Sequence, residues 1–243
     1  SALASSSFPR PSMLTPLEIE IITLSLRVAF WAVLFGLPLA IAAAWLLART
    51  RFPGKALVDG ALHLPLVVPP VIVGFTLLVL FGRQGAIGSI LHDWFGISFA
   101  FDWKGAALAS GVMAFPLMVR AIRLSIEAID QRIETAARTL GATRLRVFAT
   151  ITLPLALPGV LSGTVLAFAR SLGEFGATIT FVSNIPGETR TLPLAVFSLL
   201  QVPGTDDAIL RLVLVSIAIA LAALILSEAL SRRVSARIRG PAQ

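Results

Sequence analysis

Arg170 and Glu174 stand four residues apart in RSLGEFG, a spacing at which opposite charges pair along one helix face. Thr178, Thr180, Ser183 and Asn184 follow, a run of hydroxyl and amide donors beside Pro186 and Gly187. Ser162 and Thr164 add two more hydroxyls upstream. His63 lies about one turn from the prolines of HLPLVVPPVIVG, close enough to hydrogen-bond there. This inventory suits ion pairing and hydrogen bonding rather than bond breaking. No GxxxxGK[ST] phosphate loop, HExxH pair or GxSxG elbow occurs in the chain. An intramembrane enzyme built on His63 or Asp59 would need a nucleophile or metal ligands at the same depth, and the sequence offers none. With no cysteine, thiolate metal sites, cysteine nucleophiles and disulfides are excluded. No catalytic residue, cofactor or metal is expected.

Those donors must be positioned by elements that cross a membrane. Of the 243 residues 56% are hydrophobic and 14% charged, more apolar side chain than one soluble core of this length would use. The formal charge of +7 raises nucleic acid as a partner. The arginines, however, gather beside apolar spans instead of interleaving with aromatics on a soluble face, which reads as topology and excludes that partner. SALASSSFPRPS has no apolar core, so it is neither signal peptide nor span, and Met13 is the expected natural or alternative start.

The pattern predicts an all-α integral membrane protein with about five transmembrane helices. The first runs from about Glu20 to Ala48 with a kink at Pro38, and at ~1.5 Å per residue it can cross a ~30 Å hydrocarbon layer. The second, about Ala56 to Phe81, contains Pro65, Pro69 and Pro70 and should break, because freed carbonyls are tolerated only against protein or a watery cavity. The third runs from Gly105 to about Ile126, the fourth from about Leu155 to Leu172, and the last from Ala208 to Ala229. Gly159 and Gly163 in the fourth allow close backbone approach, at a dimer seam, a pore wall or an intrachain contact. Leu192 to Leu200 is too short to span and reads as a short outer-side or re-entrant helix. Arg49, Arg51 and Lys55, the central arginines, and Arg232, Arg233, Arg237 and Arg239 then all face the cytoplasm, which puts the N-terminus outside and the C-terminus inside.

Between the third and fourth spans lies the longest stretch that reads as soluble and amphipathic, DQRIETAARTLGATRLRVFATITLP. Asp130 can cap a helix whose face carries Ile129, Ile133, Ala136, Ala137 and Leu140. Gly141 supplies the stop. Thr143 can cap a second short helix, with Leu145, Phe148 and Ala149 opposite Arg144 and Arg146, and Pro154 is expected to end it.

Ala136, Ala137, Gly141, Ile151, Leu153 and Pro154 at these offsets resemble the EAA loop of ABC-importer permeases. In that family this cytoplasmic segment docks into a cleft on a separate ATPase subunit. The family's motif glutamate position holds Thr135 here, and the nearest acid is Glu134, one residue earlier. HLPLVVPPVIVG and ARSLGEFGATITFVSNIPGETRT carry the resemblance further, to permeases for tetrahedral oxyanions and, through SNIPGETRT, to the molybdate group. It runs from about Met13 to the end of the last span.

The resemblance implies a type I ABC importer fold in the inner (plasma) membrane and transport of molybdate or tungstate, with sulfate or another oxyanion as the alternative. It implies cytoplasmic ATPase subunits that hydrolyse the ATP, an external oxyanion-binding protein, and a homodimeric permease. Ser162, Thr164, Thr178, Thr180, Ser183 and Asn184, with the break at Pro69 and Pro70, are then the expected lining of the path, since hydroxyls and freed N–H groups can replace an anion's water shell. A passive membrane scaffold is the remaining alternative. The expected organisation is a disordered tail over 1–15, one permease domain over 16–231 with its coupling loop at 127–154, and a basic cytoplasmic tail over 232–243.

Overall fold

In the computed structural model, residues 14–239 are described, with side chains described as far as residue 233. Helix α1, Pro16–Arg49, begins at Thr15, whose Oγ1 accepts from the Glu18 N–H (3.2 Å) while the Thr15 N–H donates to Glu18 Oε2 (2.7 Å). This reciprocal pair satisfies two helix-end groups at once, and Pro at the first position loses no bond. Thr15 is therefore the ordered start of a span and not part of a disordered tail. Residues 1–13 of that expected tail lie outside the described residues. Glu18 is further held by Arg211 of the last helix (2.8 Å).

The proline run breaks the second span as expected. Helix α2, Lys55–Val67, ends at Val68, which is extended, and α3, Pro70–Phe81, leaves at 113°. A short α4, Gly88–Phe95, leads to α5, Trp103–Glu127, which is capped by Asp102. The docking stretch forms α6, Gln131–Thr139, then α7, Arg144–Val147, then a π turn, Phe148–Thr152, that passes into α8, Leu153–Leu172. Pro154 does not end the second docking helix. It lies where the π turn passes into α8, and the helical run 144–172 continues past it.

Helices α9, Gly176–Val182, and α10, Leu192–Leu199, are short, and α10 buries Leu192, Leu194 and Ala195. The last helix, α11, runs Asp206–Arg239. The expected basic tail is thus a continuation of the last span over 232–239. Among the described residues four helical runs, α1, α5, 144–172 and α11, are each long and apolar enough to cross a membrane, and the bent pair α2 and α3 makes a fifth when taken as one broken span.

Small residues let α5 sit at the centre. Ala40, Ala44 and Leu47 of α1 meet Ala114, Met118 and Ile122 of α5 and Ala156, Val160 and Ala167 of α8 in one buried cluster. A second cluster joins Leu24 and Val28, Ala106, Ala109 and Met113, Leu77 of α3, and Ala177 and Phe181 of α9. Gly159 and Gly163 serve this intrachain packing. A methyl on Gly159 would overlap the Ser125 side chain and lie 2.9 Å from the Ala121 carbonyl, whereas one on Gly163 would stand 3.1 Å from the Met118 carbonyl. Gly159→Val is expected to destabilise the protein by about 1–3 kcal/mol, the usual cost of overpacking. Thermal unfolding in detergent checks this, with Gly163→Ala as the milder comparison; equal stability of both with the native chain would show that α5 and α8 are not so tightly apposed.

Candidate functional site

The loop between α5 and α8 is built from local signals. Asp130 accepts from the Arg132 N–H (2.9 Å) and Thr143 from the Arg146 N–H (3.3 Å), so both short helices are capped by their own side chains. Gly141 takes φ +86°, the left-handed conformation that closes α6, and the Ala142 N–H returns to the Ala137 carbonyl (3.1 Å).

Periodicity groups Ile133 and Leu140 on one face, and the structure turns that face outward. Leu140 is 87% exposed and Leu145 76%, with Ile133 also exposed, while the single buried residue of α6 is Glu134. Arg132, Arg138, Arg144 and Arg146 flank the two leucines along the chain and are all exposed. Ala136 is exposed and Ala137 half-buried, so nothing bulky shields the helix between them. Two exposed leucines with exposed arginines next to them in the chain make a stretch that would be costly to leave in water and unsuited to lipid tails. It fits a cleft with an apolar floor and acidic walls.

The inner side of the loop is held by Glu134. Its Oε1 accepts from Arg49 Nη2 (3.0 Å) and Nε (3.1 Å) and from the Thr152 hydroxyl (2.8 Å). Thr135, at the family's motif position, is exposed and donates to the Gln131 carbonyl (2.9 Å) while accepting from Arg138 (3.2 Å). Ile151 and Leu153 are half-buried at the start of the long run and Pro154 is exposed. Arg49 and Thr152 were absent from the sequence reading as site residues. Arg49 carries only a charge signal there, and no spacing rule joins positions 85 residues apart.

The expected path residues divide into spent and free donors. Thr164 donates to the Val160 carbonyl (2.7 Å), Thr180 to Gly176 (2.9 Å), and the fully buried Thr178 to Phe175 (2.8 Å). Asn184 donates to the Ser198 hydroxyl (2.6 Å) and accepts from Arg190 Nε (3.0 Å), clasping the loop before α10. Ser183, at φ +65°, is exposed, Ser162 is half-buried, and the break exposes Pro69 and half-exposes Pro70.

Arg170 and Glu174 pair as their spacing requires (2.7 Å), and Glu174 also accepts from the Ala177 N–H (2.8 Å), which caps α9. Gly176 then lies against Pro70 and Gly74 against Ala177, so the break in the second span is backed by α9 through backbone contact. The Asp59 carboxylate binds Arg123 of α5 (2.8 Å), which ties α2 to the body of the protein, while His63 Nδ1 meets the Asp59 backbone carbonyl one turn back (2.8 Å).

Residues 36–239 match the family described as binding-protein-dependent transport system inner membrane component. The molybdenum transport system permease protein ModB of Escherichia coli K12 is 64% identical over 220 residues, covering 90% of this chain and 96% of its own. The sulfate transport system permease protein CysT of Salmonella typhimurium is 39% identical over 177 residues, 73% of this chain and 64% of its own. Among solved structures, a bacterial ABC transporter involved in alginate import superposes with a TM-score of 0.71 at 19% identity, covering 92% of this chain and 82% of that one.

Proposed function

The chain belongs to the binding-protein-dependent transport inner-membrane component family and has its all-α, multi-pass membrane fold, and we propose that it is the permease of an ATP-driven molybdate importer. The observation that carries the coupling half of this reading is the outward surface of α6 and α7: Leu140 and Leu145 exposed, with four exposed arginines beside them in the chain, and Leu145 on the helical run 144–172 that continues into a span. A separate ATPase gripping that surface would move α8 directly. With no phosphate loop of its own, the chain depends on such a subunit for energy.

The N-terminus faces outward and the coupling loop and C-terminus face the cytoplasm, as the arginine clusters favour. A second copy of the chain completes the path. Helix α2 carries Asp59, His63 and Pro65 yet buries none of its residues against its own chain, so a partner wall on that side would enclose it. The permease domain takes in Thr15 and the whole of α11, its loop at 127–154 meets the ATPase, and an external binding protein delivers the substrate.

Molybdate is favoured over sulfate by the higher identity and fuller coverage of the molybdenum permease relative; tungstate shares the tetrahedral geometry. The path residues fit a conduit that does not hold its cargo. Thr164, Thr178 and Thr180 already satisfy their hydroxyls within the protein, leaving Ser162, Ser183 and the break at Pro69 and Pro70 for brief contacts. Conduction requires weak sites, and selection then rests with the binding protein.

Reconstituted with its ATPase and binding protein, the permease is expected to take up radiolabelled molybdate only when ATP is present, with tungstate competing and excess sulfate leaving uptake unchanged. Sulfate that competes as strongly as tungstate would overturn the substrate assignment in favour of a general oxyanion permease.

A further inference from the structure

We propose that Glu134 is a positioning residue that acts inside the permease, locking the docking helix to the cytoplasmic ends of three spans through Arg49 and Thr152. The proposal rests on the docking reading above and says how the grip on α6 reaches the membrane. Helix α6 has nine residues, turns Ile133 outward with the exposed Leu140 just past its end, and buries Glu134 alone. Its hold on the rest of the chain is therefore concentrated in one carboxylate.

That carboxylate has three connections. Arg49 belongs to the last turn of α1, where a cation also suits the helix dipole, and its Nη2 reaches the Ile129 carbonyl (3.3 Å) just past α5. Thr152, 1% exposed, is the last residue of the π turn that leads into α8. The wider turn is a local departure from α geometry of the kind found at functional positions. The end of α1 and the entry to α8 thus meet at one oxygen, Glu134 Oε1, and Arg49 carries the connection on to the end of α5.

Burial decides between latch and contact. The Arg49 and Glu134 side chains are only 8% and 10% exposed, so a partner subunit could reach Glu134 only after the pair is dismantled. A buried ion pair roughly breaks even in stability, because desolvation offsets attraction. What it fixes is geometry, since Arg49 Nε and Nη2 and the Thr152 hydroxyl all converge on one oxygen, an arrangement few displacements of α6 preserve. With the latch closed, displacement of α6 becomes displacement of the spans. With it open, α6 can move while the spans stay.

The test measures ATPase co-purification and the ATP hydrolysed per molybdate imported for Arg49→Gln, Glu134→Gln and the double variant, with Leu140→Glu/Leu145→Glu as the docking control. A merely structural defect lowers the amount of complex but leaves that ratio alone. Expected are retained co-purification in all three latch variants and a ratio raised about tenfold in each single variant, with the double no worse than either, as for residues acting as one unit. Thr152→Val, which removes one neutral hydrogen bond, should raise the ratio less and keeps the proposal open to refutation when a charged variant fails to insert. Loss of the ATPase in Glu134→Gln but not in Arg49→Gln would make Glu134 a partner contact and overturn the latch, as would ratios at the native value or effects that add in the double variant. A control permease that still retains its ATPase would instead refute the docking reading on which the latch stands.

Discussion

Gly141→Leu is expected to cut ATP-driven molybdate uptake by about tenfold or more and to reduce ATPase co-purification, through backbone conformation and not through crowding. A Cβ at this position would meet nothing within 4 Å, so there is room for the side chain. The backbone is the obstacle: at φ +86° a branched residue is strained by roughly 1–3 kcal/mol. The loop can escape that strain by unwinding the turn. It then re-aims α7 relative to α6 and separates Leu145 from Leu140, which the partner must seat together. Since ~1.4 kcal/mol is a factor of ten in binding, the strain alone is enough to weaken docking severely. Gly141→Asn is the control, because asparagine tolerates the left-handed region; it should retain most of the uptake. Native uptake by the leucine variant would mean that the turn does not set the docking geometry.

Arg170→Met should destabilise the permease by about 3–5 kcal/mol, the cost of leaving a buried carboxylate without its cation. Glu174 is 2% exposed and has two partners, Arg170 at 2.7 Å and the Ala177 N–H at 2.8 Å. The backbone bond alone leaves a full charge in an apolar corner between α8 and α9. That corner carries α9 against the broken second span through Gly176 and Pro70, so the disturbance extends to the break. The double variant Arg170→Met/Glu174→Gln removes the charge and keeps an acceptor for Ala177, and it should recover most of the loss. Monodisperse yield and melting temperature in detergent measure both variants. A single variant as stable as the native protein would show that Glu174 is not held by Arg170.

The elements legible in the sequence are those fixed by neighbours along the chain. Asp130 and Thr143 cap, Gly141 turns, Arg170 pairs with Glu174 and the prolines break the second span, because each depends on residues within about one helical turn. The parts that were not legible depend on distance or direction. Periodicity places Ile133 and Leu140 on one face but not on which side of the loop that face lies, and the structure turns it outward with the acid inside. The ties between Arg49 and Glu134 and between Arg123 and Asp59 join residues 85 and 64 apart, for which spacing gives no rule. Pro154 reads as a stop only if a helix precedes it in α register; after the π turn it occupies a first turn and the helix continues. The donors in the fourth span and beyond had a usable signal. Threonines within a helix tend to bond the carbonyl one turn back, and Thr164 and Thr180 do so.

The most direct test is the side from which the docking loop can be reached. Because the chain has no cysteine, Leu145→Cys gives a single thiol on the exposed face of α7. A membrane-impermeant maleimide is expected to label it in inside-out vesicles and not in intact spheroplasts, with purified ATPase protecting it. Labelling from the outer face, or labelling that the ATPase leaves unchanged, would contradict a loop gripped by a cytoplasmic motor.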